Sequence, residues 1–117
     1  MTLNKFNKDI SGLIAEFIVE KPLKLLDWID INKLDWDYLS SNPNAIGLLE
    51  KNTDKINWSN LSQNPNAIHL LEQNQDKIDW SELSSNPNAI HLLEQNQDKI
   101  DWFNLSLNPS IFYLDNK

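Results

Sequence analysis

Tryptophan returns every 22 residues, at Trp36, Trp58, Trp80 and Trp102. Proline keeps the same period at Pro43, Pro65, Pro87 and Pro109, and blocks open at Leu34, Ile56, Ile78 and Ile100. Asn64 to Trp80 and Asn86 to Trp102 are identical over 17 residues. Self-similarity at such a period marks an array in which no unit buries its apolar face alone and neighbouring copies share a core.

Each block reads as two short helices. The first spans Asn64 to Asn74, with Asn64 as N-cap and Pro65 at the first helical position, where its missing N–H costs nothing. At about 100° per residue, Ala67, Ile68, Leu70 and Leu71 share one arc, and Asn66, His69, Glu72 and Gln73 the opposite one. Asn74 is expected to end the helix as a left-handed C-cap. The second helix begins at Asp79, which with Glu82 has the spacing of a capping box. Ile78 and Leu83 have hydrophobic-staple spacing, and the pair recurs as Leu34/Leu39, Ile56/Leu61 and Ile100/Leu105. Trp80 and Leu83 are expected on the buried face. Helices this short are marginal alone, so stability has to come from stacking. A leucine-rich repeat is disfavoured, because its L-x-x-L-x-L-x-x-N pattern and any strand alternation are missing.

The expected fold is all-α: a short α-solenoid of two-helix repeats with an N-terminal amphipathic cap helix and a C-terminal cap, forming a single domain. Residues 1–33 are assigned to the N-terminal cap, 34–99 to three repeats and 100–117 to a closing half-repeat. Phe6, Ile10, Leu13, Ile14, Phe17 and Ile18 form the stripe of the first cap, and Pro22 to Trp28 reads as a degenerate copy of the first repeat helix. Asn108 to Asp115 departs from the repeat and is expected to close the array.

Composition narrows the function. Ten Lys and no Arg stand against 17 acidic residues, a net charge of −7, which disfavours nucleic acid and anionic membrane. Cysteine is absent, so disulfides and thiolate chemistry are excluded. No apolar run reaches about 18 residues and no signal pattern opens the chain, so an intracellular setting is expected.

Catalysis has no foothold in the pattern. His69 and His91 hold equivalent outward positions on successive repeats, about 10 Å apart by helix-packing distance, too far to share a metal. The Glu50/Glu72/Glu94 and Asp54/Asp76/Asp98 ladders are followed by Lys55, Lys77 and Lys99 and read as solvated or capping charge. No Gly-rich phosphate loop or zinc-binding His pair occurs. No cofactor is expected.

The positions that vary within the frame are the pairs Asp37-Tyr38, Ser59-Asn60, Ser81-Glu82 and Phe103-Asn104, and the series Gly47, His69, His91, Tyr113. A rigid solenoid can present such residues to a partner. Tyr38, His69, His91, Phe103 and Tyr113 are the candidate binding residues.

The stretch Ser85-Asn-Pro-Asn-Ala-Ile-His-Leu-Leu-Glu94, with Asp98-Lys-Ile-Asp-Trp102, resembles the uncharacterised short tandem helical repeats of giant DNA viruses. The likeness runs from Leu34 to about Leu114 and includes the closing Asn108-Pro-Ser-Ile-Phe112. It implies a non-enzymatic interaction repeat in a virus or its host cytoplasm, and brings no catalytic residues. The functional expectation is therefore a protein-binding adaptor module. The alternative is a structural or assembly component that associates with itself.

Overall fold

The structure is a computed structural model and describes residues 23–116. Among them the chain forms short helices and no strand. Tryptophan opens one helix of every repeat: α1 (Trp36–Ser40), α3 (Trp58–Ser62), α5 (Trp80–Leu83) and α7 (Trp102–Leu105). The Ile-x-Leu-Leu-Glu segments form α2 (Ile46–Glu50), α4 (Ile68–Glu72) and α6 (Ile90–Glu94). Single 3₁₀ turns, at Thr53–Lys55, Gln75–Lys77 and Gln97–Lys99, return the chain to the next tryptophan.

The helices pack in sequence order. α1 lies on α3 and α3 on α5, while α1 and α3 also contact the second helices of their own repeats, α2 and α4. This is a short helical solenoid. Its core is a continuous strip of Leu49, Leu61, Leu71, Leu83 and Leu93, with Ala67 and Ala89 filling the narrow points. The staple residues Ile56, Leu61, Ile78 and Leu83 belong to the same cluster. Asn66, His69, Glu72 and Gln73 face outward, as the helical periodicity requires. The indoles of Trp36, Trp58 and Trp80 are half-buried, each packing one part of its surface on the core.

Three local expectations are corrected. Asn64 is no N-cap: its Oδ1 accepts from the Asn66 N–H at 3.0 Å, the chain turns through Pro65 and Asn66, and the helix starts only at Ile68. An Asx turn has taken the side-chain oxygen. Asn74 is not left-handed but sits at φ −138°, ψ 50°. Its Nδ2 instead donates to the Leu70 carbonyl at 2.9 Å, satisfying an orphan acceptor at the helix end without a positive φ. Asp79 does cap α5, accepting from the Glu82 N–H at 3.2 Å. The reciprocal half of the box is supplied by the previous repeat, because the Asp79 N–H donates to the Ser62 hydroxyl at 3.0 Å.

The two ends also depart from expectation. Residues 23–30 hold a turn closed by Ile29 N–H to Leu26 O at 3.0 Å, and no helix. The Asx turn that sets up each repeat helix needs Asn before Pro, and this segment is preceded by Lys21-Pro22. The expected amphipathic helix of Phe6 to Ile18 lies outside the described residues. At the far end, α7 is followed by a 3₁₀ turn at Pro109–Ile111, and residues 112–116 form no second helix. Ile111 stands where Ala89 is fully buried, and Asp115 where Leu93 is buried, so neither position fits the core groove. The closing segment therefore leaves the last apolar face uncovered.

Candidate functional site

The same set of side chains joins every repeat to the next. Ser40, Ser62 and Ser84 lie four residues after a tryptophan and are fully buried. Each hydroxyl donates back to its tryptophan carbonyl, at 2.8, 2.7 and 2.8 Å. Each then accepts the N–H of the following repeat's cap residue: Asn57 at 2.9 Å, Asp79 at 3.0 Å and Asp101 at 3.0 Å. One hydroxyl thus satisfies two backbone groups.

The buried asparagines supply the second tie. Asn64 Nδ2 donates to Ser40 O at 3.1 Å and Asn42 O at 2.9 Å. Asn86 does the same to Ser62 O and Asn64 O, both at 3.0 Å, and Asn108 to Ser84 O at 3.1 Å and Asn86 O at 2.8 Å. Each amide therefore uses its oxygen locally for the Asx turn and its nitrogen across the junction. A carboxylate could do only the first of these. Nearer the surface, Asn66 and Asn88 donate to Pro43 O and Pro65 O at 2.8 and 2.7 Å.

The lysines complete the junction. Lys55, Lys77 and Lys99 hold their ammonium groups over the rings of Trp36, Trp58 and Trp80, at 5.0, 5.2 and 5.1 Å from the centroids. Each cation, at the end of the 3₁₀ turn that leads into the next tryptophan, lies on the tryptophan ring one turn of the stack earlier, a contact worth about 0.5–1 kcal/mol at exposed sites. The sequence alone had suggested only solvated charge near the carboxylates.

These ties account for four of the variable residues, Ser59, Asn60, Ser81 and Asn104. Ser59 donates to Asp79 Oδ2 at 2.9 Å and Ser81 to Asp101 Oδ2 at 2.6 Å. Asn60 and Asn104 donate to Asp37 O and Ser81 O, at 2.8 and 2.9 Å. In the second and third repeats the pair after the tryptophan makes inter-repeat contact through Ser59, Asn60 and Ser81, whereas Asp37, Tyr38 and Phe103 stay exposed. The Ser81 hydroxyl, with the backbone N–H groups of Asn104 and Phe103, holds the Asp101 carboxyl below its ordinary value.

The candidate residues fall into separate places. Tyr38, on α1, is exposed at the first repeat beside the exposed polar Asp37 and Ser41. His69 and His91 are exposed on α4 and α6, each beside the glutamine four residues on, Gln73 at 3.3 Å and Gln95 at 3.2 Å. Among the described residues no group of His, Asp and Glu is arranged to hold a metal ion. Phe103 and Tyr113 are 91% and 88% exposed and belong to the C-terminal end. With them stand Trp102, 63% exposed, Leu107 at 74%, Phe112 at 81% and Leu114 at 81%. The five candidates thus do not form one patch. The end of the stack gathers two of them with apolar residues that periodicity had assigned to the core and the cap.

We call this end the tail face. Ser106, exposed here, has its own bond to Trp102 O at 2.9 Å but no following N–H to accept. The opposite end, the head face, carries Lys33, Asp35, Asn42 and Asn44, all exposed. It opens on a groove of about 630 Å³ lined by Leu39, Ala45 and Leu48, with Leu23 and Leu25 on its far wall. None of the described helices is long and apolar enough to cross a membrane. No family model, curated protein or solved structure matches this chain.

Proposed function

We propose that this chain is a non-enzymatic interaction module that engages a protein partner through the tail face of its helical stack. The observation that carries the reading is the exposure of Trp102, Phe103, Leu107, Phe112 and Tyr113, each at least 63%, at the C-terminal end of the stack; Leu23, Leu26 and Trp28 are comparably exposed at the other end. Exposed apolar residues concentrated in one stretch of chain point to an interaction site, and aromatic residues dominate binding energy where they are buried by a partner. The lateral surface supports the reading less well, because Ser59, Asn60, Ser81 and Asn104 are engaged between repeats and the exposed Tyr38, His69 and His91 have few exposed apolar neighbours. The resemblance of the repeat sequence to those of giant DNA viruses supports, within the same proposal, a setting in a virus or its host cytoplasm.

The test is capture of binding proteins on immobilised chain, comparing Phe103→Lys with the triple variant Tyr38→Ala/His69→Ala/His91→Ala. The end-face reading expects Phe103→Lys to lose its captured partners and the triple variant to keep them. The reverse pattern would return the site to the lateral surface. The assembly-component reading is favoured by one separate observation, the complementary polar groups left at the two ends.

A further inference from the structure

We infer that the tail face docks the head face of a second copy of this chain, continuing the stack from one molecule to the next. The inference rests on the tail-face reading above and names its partner.

Three junctions inside the molecule already show what covers such a face. In each, a row of acceptors on the earlier repeat meets a row of donors on the later one. The acceptors are the serine hydroxyl, the serine and asparagine carbonyls and the tryptophan ring. The donors are the cap N–H, the asparagine Nδ2 and the lysine ammonium. On the tail face the acceptor row recurs complete, as Ser106 Oγ, Ser106 O, Asn108 O and the Trp102 ring, with Pro109 O in the outer place. On the head face the donor row recurs as the Asp35 N–H, Asn42 Nδ2, Asn44 Nδ2 and Lys33 Nζ.

Both rows lie open. Asn42 is exposed whereas Asn64, Asn86 and Asn108 are 1% exposed. Leu39 and Leu48 on the head, and Ile100 and Leu105 on the tail, are only half-buried, although their equivalents in the middle repeats are buried. Docking would therefore seal apolar surface and pair polar groups at once. A tail-to-tail pair fits less well, since it would set carbonyl against carbonyl and bury acceptors with no donor. Phe103 departs from the pattern. It replaces the serine that bonds the next cap carboxylate, so the junction exchanges that hydrogen bond to Asp35 for aromatic contact. A head-to-tail contact between identical molecules is heterologous and propagates unless it closes into a ring.

Sedimentation velocity of the whole chain, from low micromolar to near-millimolar concentration, tests the inference. Two exposed substitutions block one end each. Asn42→Asp keeps the Oδ1 that accepts from Asn44 N–H but removes the donors and sets a carboxylate toward carbonyls. Ser106→Arg puts a bulky cation on the tail. Circular dichroism on each variant confirms the fold. The expected result is a weight-average mass at least doubling with concentration for the unsubstituted chain, monomers for each variant alone, and a dimer when the two variants are mixed. Monomers of the unsubstituted chain throughout the range would overturn self-stacking, as would undiminished association of Asn42→Asp or absence of the mixed dimer. A monomer that still captures partners in a Phe103-dependent way would leave the tail-face reading standing. One that captures none would end both.

Discussion

The junction between the second and third repeats and the face after α7 share a sequence pattern but not a fate. At the first, the Ser62 hydroxyl and the Asn86 amide bond across to the neighbouring repeat, and the Lys77 ammonium lies over the half-buried Trp58 ring. At the second, Ser106 and Trp102 offer the same chemistry to solvent. The difference teaches that these side chains are neither intrinsically structural nor intrinsically functional. The same serine is a buried staple where a repeat follows it and an open acceptor where none does.

Substitutions at equivalent positions sharpen that contrast. Asn86→Asp removes the side-chain donor to the Ser62 and Asn64 carbonyls, the second of which keeps only the Ala67 N–H, and faces both with a charge. It is expected to cost about 3–6 kcal/mol, while the same change at exposed Asn42 costs less than about 0.5 kcal/mol in dilute monomer. Urea denaturation of both measures the gap, and equal costs would break the comparison. Ser84→Ala orphans the Asp101 N–H and should destabilise by about 1–3 kcal/mol, against less than about 0.5 kcal/mol for Ser106→Ala.

The smallest effect concerns Asp101, whose carboxyl lies below its ordinary value of 3.8 because of the Ser81 hydroxyl and the Asn104 and Phe103 N–H groups. A depressed pKa contributes stability above the unfolded value, and that contribution is lost as pH falls through the folded one. Ser81→Ala should raise the Asp101 midpoint, followed by NMR titration. Its destabilisation should be present at neutral pH and vanish in acid. A midpoint unmoved by the substitution would show that the hydroxyl contributes nothing at this junction.

Much of the fold was legible because period alone carries it. Tryptophan and proline spacing locates the repeat, and helical periodicity separates Ala67, Leu70 and Leu71 from Asn66, His69 and Glu72. The staple spacing predicts Ile78 and Leu83 in the core. What escaped were roles that depend on the next repeat. An asparagine before proline reads locally as a helix cap, and nothing within its own turn reveals that its nitrogen reaches carbonyls 22 and 24 residues earlier. The serine four residues after each tryptophan kept the period in plain view, yet a small polar residue near a helix end has many uses. Lys77 lies beside Asp76 in sequence but over Trp58 in space. At the candidate surface, Phe103 and Tyr113 were visible as departures from the repeat. Their gathering with Trp102 was not, because it follows from a second helix that fails to form after Ile111.

The long-range hydrogen bonds among the described residues span 17 to 24 positions, one repeat and never two. Every loop that must close during folding therefore has nearly the same modest length, and no step waits for distant parts of the chain to meet. Such a chain behaves like a zipper whose teeth are alike. It can start at any junction, and amide protons should exchange fastest toward residue 116 and slowest around the buried Leu71 and Leu83.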